Sequence, residues 1–191
     1  MRKMLPATLA VALLVGMAPL VAEEGSGGVT IKANAINLST GPASPGSGQL
    51  LVKLDRYSTD EERKRWRELF LAEGQEALVS VWQEENPRLG YARFAQTRGY
   101  QIRMAFADSL ENGGKRVVIV TDRPFAGFEL FTGARSQAYR IGLIVAEVDA
   151  EGKGEGKLVA AAAVAVKDGR IEIESYGSQP VQLRNLRVEA E

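Results

Sequence analysis

Short runs in which apolar and polar residues alternate fill most of the chain after residue 28. Between residues 100 and 110, Tyr100, Ile102, Met104 and Phe106 alternate with polar or small residues. A period of two is typical of half-buried β-strands, because successive side chains point to opposite faces. The pattern and the turn residues between the runs predict strands at 29–38, 50–57, 89–95, 100–110, 117–120, 141–148, 157–166, 171–174 and 181–188.

Two of these strands stand out by the kind of residue they carry. Residues 117–120 are four consecutive β-branched apolar residues, which predicts a central strand covered on both faces. Pro124 closes it, since proline cannot donate to a sheet. The strand at 29–38 carries Lys32, Asn34 and Asn37, so we predict that it lies at an edge of the sheet.

The segment between the second and third strands has helical periodicity. Either Ser58 with Glu61 or Thr59 with Glu62 forms a capping pair at its start. Gly74 divides the segment, so we predict two short amphipathic helices joined at a kink, the second over 75–85. The basic residues of the first helix are interpreted as a solvated outer face, with a contact surface as the alternative.

The alanine-rich segment 157–166 is acceptable as a helix on propensity alone. Asp168-Gly169 is a strong hairpin signal, however, and residues 171–174 alternate behind it, so the segment is predicted to be a strand. Its small side chains would let another element approach closely, and we therefore place it beneath the helices.

The last strand contains an irregularity. Val181 and Leu183 share one face, but the alternation slips by one residue before Leu186 and Val188. A β-bulge at residues 184–185 would return all four side chains to a common face.

Together these elements predict a single α+β domain. Its core is a curved, mostly antiparallel sheet of about seven or eight strands, with a two-helix excursion packed on one face. A closed or half-open barrel is the alternative arrangement of the same strands.

The start of the chain resembles a secretory signal. Arg2 and Lys3 precede an apolar stretch over residues 5–22 that ends in small residues. We predict cleavage after residue 22, a flexible lead-in over 23–28 and one domain over 29–191, which makes the protein exported, either periplasmic or secreted, with no stable membrane span after cleavage. An uncleaved membrane anchor is the alternative.

Composition removes several kinds of chemistry. The chain has no cysteine and no histidine, which excludes disulfides, thiol nucleophiles, His-assisted triads and His-bound zinc. The 24 basic and 24 acidic residues balance, so no overall basic character points to nucleic acid. No cofactor motif is present.

Two loops have a functional alternative. Residues 41–48 are rich in glycine, proline and serine, but no Gly-Lys-Ser/Thr follows them as a phosphate-binding loop requires. Residues 149–156 alternate acids and glycines without the spacing of a calcium-binding loop. Both are interpreted as solvated surface loops, and no metal site is predicted.

Without histidine or cysteine, an enzyme of this sequence would need a pair of carboxylates. Asp122 is the best single candidate, because it follows the central strand directly. Asp108 and Glu129 are candidate partners. The structural alternative is that Asp122 caps local backbone donors at a turn.

An aromatic segment follows Pro124. It holds Phe125, Phe128 and Phe131, and its cationic neighbours are Arg123, Arg135 and Arg140. Such a segment forms either an apolar and cationic lip that binds a ligand or a partner, or a plug that closes the end of the core.

Three segments carry a resemblance to known proteins. Residues 121–124, the glycine-rich residues 152–156 and residues 176–183 resemble a group of uncharacterised secreted bacterial proteins. The resemblance covers the C-terminal half. It implies a shared compartment and fold but no activity, cofactor or catalytic residue.

The sequence therefore predicts a noncatalytic exported protein that binds a protein partner or a small amphiphilic ligand through the aromatic segment. The alternative is a carboxylate-dependent hydrolase that uses Asp122.

Overall fold

A computed structural model describes residues 28–38, 46–94, 99–125, 140–167, 170–175 and 180–190. One helix and nine strands lie in these ranges, in the order β1 (Val29–Asn37), β2 (Gly46–Leu54), α1 (Asp60–Glu85), β3 (Gly90–Phe94), β4 (Tyr100–Ser109), β5 (Lys115–Thr121), β6 (Ile141–Val148), β7 (Lys153–Lys167), β8 (Arg170–Ser175) and β9 (Val181–Ala190).

Within the described residues, eight of the strands close an antiparallel barrel. Neighbouring strands follow the order β6, β5, β4, β3, β2, β1, β9 and β7, and β7 pairs with β6 to complete the ring. The far half of β7, from Ala162 to Lys167, pairs with β8 as a two-stranded extension. The predicted curved antiparallel sheet is thus closed into a barrel, which was the alternative arrangement of the same strands.

Because the barrel is closed, β1 lies between two other strands and not at an edge of the sheet. This strand pairs with β2 on one side and with β9 on the other, so it is not an edge strand as its polar residues had suggested. Lys32 and Asn34 instead alternate with buried Ile31, Ala33 and Ala35, which point into the barrel. Their exposed side chains therefore belong to an outer face of the barrel that is open to solvent.

The central strand is covered on both faces, as predicted. Val117 and Ile119 pack among the side chains that fill the barrel. Val118 and Val120 pack outside it, against a second apolar cluster that includes Trp82 of α1. An unbroken β-branched run thus corresponds to a strand between the barrel interior and the helix.

The helical segment, α1, is kinked at the predicted place. Two helical stretches meet at Gly74, whose φ of 82° and ψ of −176° are not helical. Thr59 caps the start through a reciprocal pair of hydrogen bonds with Glu62, which is the second of the two predicted registers. Asn86 ends the helix in a left-handed conformation.

The helix lies across the outer face of the strands from β4 to β7. Gln75 binds β7 through both ends of its amide: its Nε2 lies 3.5 Å from the Ala162 carbonyl, and its Oε1 accepts from the Val164 amide at 2.6 Å. The alanine-rich strand does lie beneath the helix, because its small side chains allow this close approach.

The predicted bulge in β9 is present. Lys32 pairs with Arg187 whereas Asn34 pairs with Arg184, so β9 contains one more residue than β1 over this stretch. Asn185 has a φ of 51°, and both Leu183 and Leu186 are buried in the barrel. The extra residue restores the common apolar face, as the slip in alternation required.

One boundary differs from the prediction. β2 begins at Gly46 rather than at Leu50, so residues 46–48 of the predicted loop pair with β1 as a strand. Glycine and serine do not favour a strand by themselves, but the length of β1 gives them a backbone to pair with.

Candidate functional site

The carboxylate proposed from the sequence, Asp122, forms an ion pair with Arg103. Arg103 is the extra residue of a bulge in β4, where the pairing with β5 shifts between Ile102 and Met104. Its Nε and Nη2 lie 2.8 and 2.7 Å from the same oxygen of Asp122, and the two side chains are only 8% and 10% exposed. The charge of Asp122 is therefore neutralised by a buried neighbour.

The same arginine fixes the end of the helix. Its Nη1 donates to Asn86 Oδ1 at 2.6 Å and to the Pro87 carbonyl at 2.9 Å. Arg103 thus joins the helix C-cap, the loop after it and the end of β5, and we call this group the Arg103 clamp. These contacts indicate a structural role, since they connect the helix to the barrel.

The acids proposed as partners do not converge on Asp122. Asp108 forms an ion pair with Arg63 of the helix at 3.3 Å, and Glu129 lies outside the described residues. Among the residues that the structure describes, no three acidic side chains come together as a metal site. Asp108, the one proposed partner that the structure describes, is therefore paired with the helix.

Phe125 is a core residue. Its side chain is 1% exposed and contacts the rings of Phe94 and Tyr100, with centroids 6.2 and 4.9 Å away. Its amide donates to the Ala160 carbonyl at 2.8 Å, and a Cβ on Gly142 would lie 2.5 Å from its ring. For this residue the structure shows the plug and not the lip, so Phe125 cannot contact a ligand at the surface.

The structure shows the contacts of two of the three arginines that neighbour the aromatic segment. Arg123 is exposed, and its guanidinium lies 4.8 Å from the Tyr100 ring centroid and donates to the Gly99 carbonyl. Arg140 pairs with Glu76 of the helix at 3.6 Å. Phe128, Phe131 and Arg135 lie outside the described residues, so their role in binding an amphiphilic ligand stays a prediction.

A different surface emerges from the strand order. The outward residues of five adjacent strands form a cross-strand row on the open side of the barrel, opposite the helix. The row runs from β3 to β7 and contains Arg93, Leu51, Lys32, Arg187 and Lys153. Four of these five side chains are cations, and we call this row the cationic row.

Arg187 lies at the centre of the most highly charged part of the row. Its two direct cross-strand neighbours are Lys32 and Lys153, and all three side chains are exposed. Like charges that face each other across strands are destabilising. Lys32 has an acidic partner, Glu189, at 2.9 Å, whereas no ion pair to Arg187 or Lys153 occurs among the described residues.

The rest of this open face is basic as well. In the part of the face that the structure describes, the only outward acids on β3, β2, β1, β9 and β7 are Glu155 and Glu189, which pair with Arg184 and Lys32. The outward cations outnumber them: Lys32, Lys53, Arg93, Lys153, Lys157, Arg184 and Arg187. A chain with balanced charge thus presents one strongly positive surface.

A depression adjoins the row at the β9 bulge. It has a volume of about 310 Å³ and is lined by Lys32, Ala33, Asn34, Gln49, Leu50, Leu51 and Asn185. Asn34 lies directly opposite Gln49 across β1 and β2, and the bulge presents Asn185 from the other side. The depression therefore combines three amide side chains with three apolar residues and one cation, and we call it the amide pocket.

Sequence reasoning missed both features of the open face. Each cation lies at an outward position of its own strand, which the alternation does indicate, but no local pattern tells that β9 lies between β1 and β7. The bulge at 184–185 was the available signal, because bulges recur next to functional sites.

No helix among the described residues combines the length and the apolar character needed to cross a membrane. Comparison of the chain with protein-family models, with curated proteins and with solved structures found no match. The resemblance of the C-terminal half to secreted bacterial proteins therefore stays a prediction.

Proposed function

We propose that the protein is an exported, noncatalytic binding protein that attaches to an anionic partner through the open face of its barrel. The cationic row carries this proposal, since Arg187 is held between two lysines on adjacent strands. Like charges in this arrangement weaken the fold slightly, and departures from local design rules are expected where a surface serves binding. An anionic partner would relieve the repulsion.

The arrangement of the two sides of the barrel supports a binding role for this face. The helix covers the outer face of β4 to β7 and leaves β3, β2, β1, β9 and the start of β7 uncovered. Exposed cations within about one Debye length of each other, roughly 8–10 Å, add their fields at an approaching anion. Adjacent strands lie about 4.8 Å apart, so neighbouring cations of the row satisfy this condition.

The hydrolase alternative has less support, because Asp122 is held by Arg103 and because Asp108 pairs with Arg63. The barrel interior also favours a noncatalytic role. It is filled by apolar side chains, including Phe125 and Tyr100, as expected for an eight-stranded barrel whose lumen serves as the core.

The proposal predicts that Arg187→Gln with Lys153→Gln weakens binding to the acidic polysaccharide polygalacturonate. Taking about 1 kcal/mol for each cation at an anionic surface, the affinity should fall roughly thirtyfold. The free energy of unfolding of this double variant should at the same time rise by a few tenths of a kcal/mol, because the repulsion across β1, β9 and β7 is removed. Titration calorimetry and urea unfolding measure the two effects.

The matched control is Lys64→Gln with Arg67→Gln, which removes the same charge from exposed positions on the helix. Its affinity should stay within about threefold of the wild type, since these residues lie on the covered side of the barrel. Equal losses in the two double variants would mean that net charge alone drives attachment. That result, or a wild-type protein that binds neither anionic polymers nor anionic vesicles, would overturn the proposal.

A further inference from the structure

The amide pocket beside the cationic row combines two kinds of recognition. Asn34, Gln49 and Asn185 line it from three strands, and all three residues are exposed to solvent. Lys32, which is paired with Glu189, stands at its border. The pocket thus offers neutral donors and acceptors next to a cation that already has one carboxylate partner.

The pairing of amides with a cation favours one ligand chemistry. A side-chain amide both donates and accepts hydrogen bonds, which matches a sugar hydroxyl, itself a donor and an acceptor. Leu51 adds an apolar surface for the C–H face of a sugar ring. A carboxylate on the same sugar unit would lie next to Lys32, and the next units would follow the cationic row.

The backbone at Asn185 adds a further observation. Its φ of 51° is a conformation that glycine adopts most easily, and asparagine is one of the few other residues that tolerates it. The bulge by itself therefore requires no side chain at this position. An amide is nevertheless present, and Asn185 is one of the residues that line the pocket.

From this geometry we infer that the amide pocket binds one unit of an acidic polysaccharide whose chain continues along the cationic row. The inference rests on the proposed function and specifies its partner as a polymer of sugar carboxylates. The row supplies the charge attraction common to all polyanions, and the pocket distinguishes a sugar from other anionic units.

The test compares two polymers that each carry one carboxylate per unit, polygalacturonate and poly-L-glutamate. The wild type should bind polygalacturonate at least fivefold more tightly at moderate salt. Asn185→Gly with Gln49→Ala should abolish this preference and leave the affinity for poly-L-glutamate unchanged. Glycine keeps the positive φ of the bulge, so the variant should fold, and its thermal unfolding is measured alongside.

Each outcome has a distinct meaning. Equal affinity of the wild type for the two polymers, or a preference that survives in the variant, overturns the saccharide inference and leaves the anionic-partner proposal standing. Tighter binding to phosphatidylglycerol vesicles than to either polymer also overturns the inference. Failure to bind either polymer and the vesicles overturns the proposed function itself.

Discussion

The two outer faces of the barrel are built from the same kind of strand but meet different surroundings. Under the helix, the outward side chains of β4 to β7 are apolar and buried, with Phe106, Val118 and Leu143 among them. On the opposite side, β1, β2 and β9 present Lys32, Gln49 and Arg187 to solvent. A closed barrel fills its interior all around, so the outward residues alone record where a second layer of structure packs.

The two faces also differ in what they contribute: the covered face stabilises the fold, and the open face is the proposed binding surface. The covered face is held by apolar packing and by the Arg103 clamp, and both contribute to the free energy of unfolding. The open face includes like charges directly opposite each other, at some cost to the fold. Variants on the covered face should therefore affect stability, whereas variants on the open face should affect binding.

The largest effect is expected at the Arg103 clamp. Asp122→Ala should lower the free energy of unfolding by about 3–5 kcal/mol, because it leaves Arg103 buried without its counter-charge. Asp108→Ala is the matched control. Its ion pair with Arg63 is partly exposed, and its loss should cost about 1 kcal/mol or less in urea unfolding. If the two variants lose the same stability, Arg103 does not join the helix to the barrel.

A leucine from each face gives the next comparison. Leu143→Ala on the covered face should cost about 2–5 kcal/mol, because a side chain only 4% exposed is replaced by a cavity beneath the helix. Leu51→Ala on the open face is half-buried and should cost less than about 1 kcal/mol. Thermal unfolding of both variants measures the difference. Equal losses would show that the open face is packed as tightly as the covered one.

The smallest effect concerns the start of the helix. Arg56 donates two hydrogen bonds of 2.7 Å to Glu62, and these bonds, together with that from the Thr59 amide, hold the pKa of Glu62 below its ordinary value. Because the folded-state pKa is lowered, the stabilisation is complete above the ordinary pKa of glutamate and is lost as the pH falls through the lowered value.

Glu62→Gln should therefore cost about 1 kcal/mol or less at neutral pH, since the pair is partly exposed. The variant should also lose part of the dependence of unfolding on acidic pH. Urea unfolding at a series of pH values tests both points. An unchanged pH profile would mean that Glu62 does not stabilise the helix start.

Much of the fold follows from local patterns. The β-branched run at 117–120, the pair Thr59 and Glu62 and the slip in β9 each specify a feature that the structure contains. The candidate site was predicted less well. Asp122 and Phe125 are both near the end of β5 as expected, but one is held in an ion pair and the other fills the core. Their partners come from β4 and β3, and residue spacing alone does not identify them.

The sequence by itself determined that residues 117–120 are covered on both faces, that the helix kinks at Gly74, and that β9 must absorb one extra residue. These features depend on periods of two and 3.6 residues and on backbone preferences, which act over a few neighbours. The sequence did not determine the faces of β4, because the bulge at Arg103 places Ile102 inside the barrel and Phe106 outside it. Only the tertiary structure decided that β6 pairs with β7 and that β9 lies between β1 and β7. Closure brings residues 32, 93, 153 and 187 into one row, because strand neighbours are chosen by packing of the whole chain and not by any local pattern.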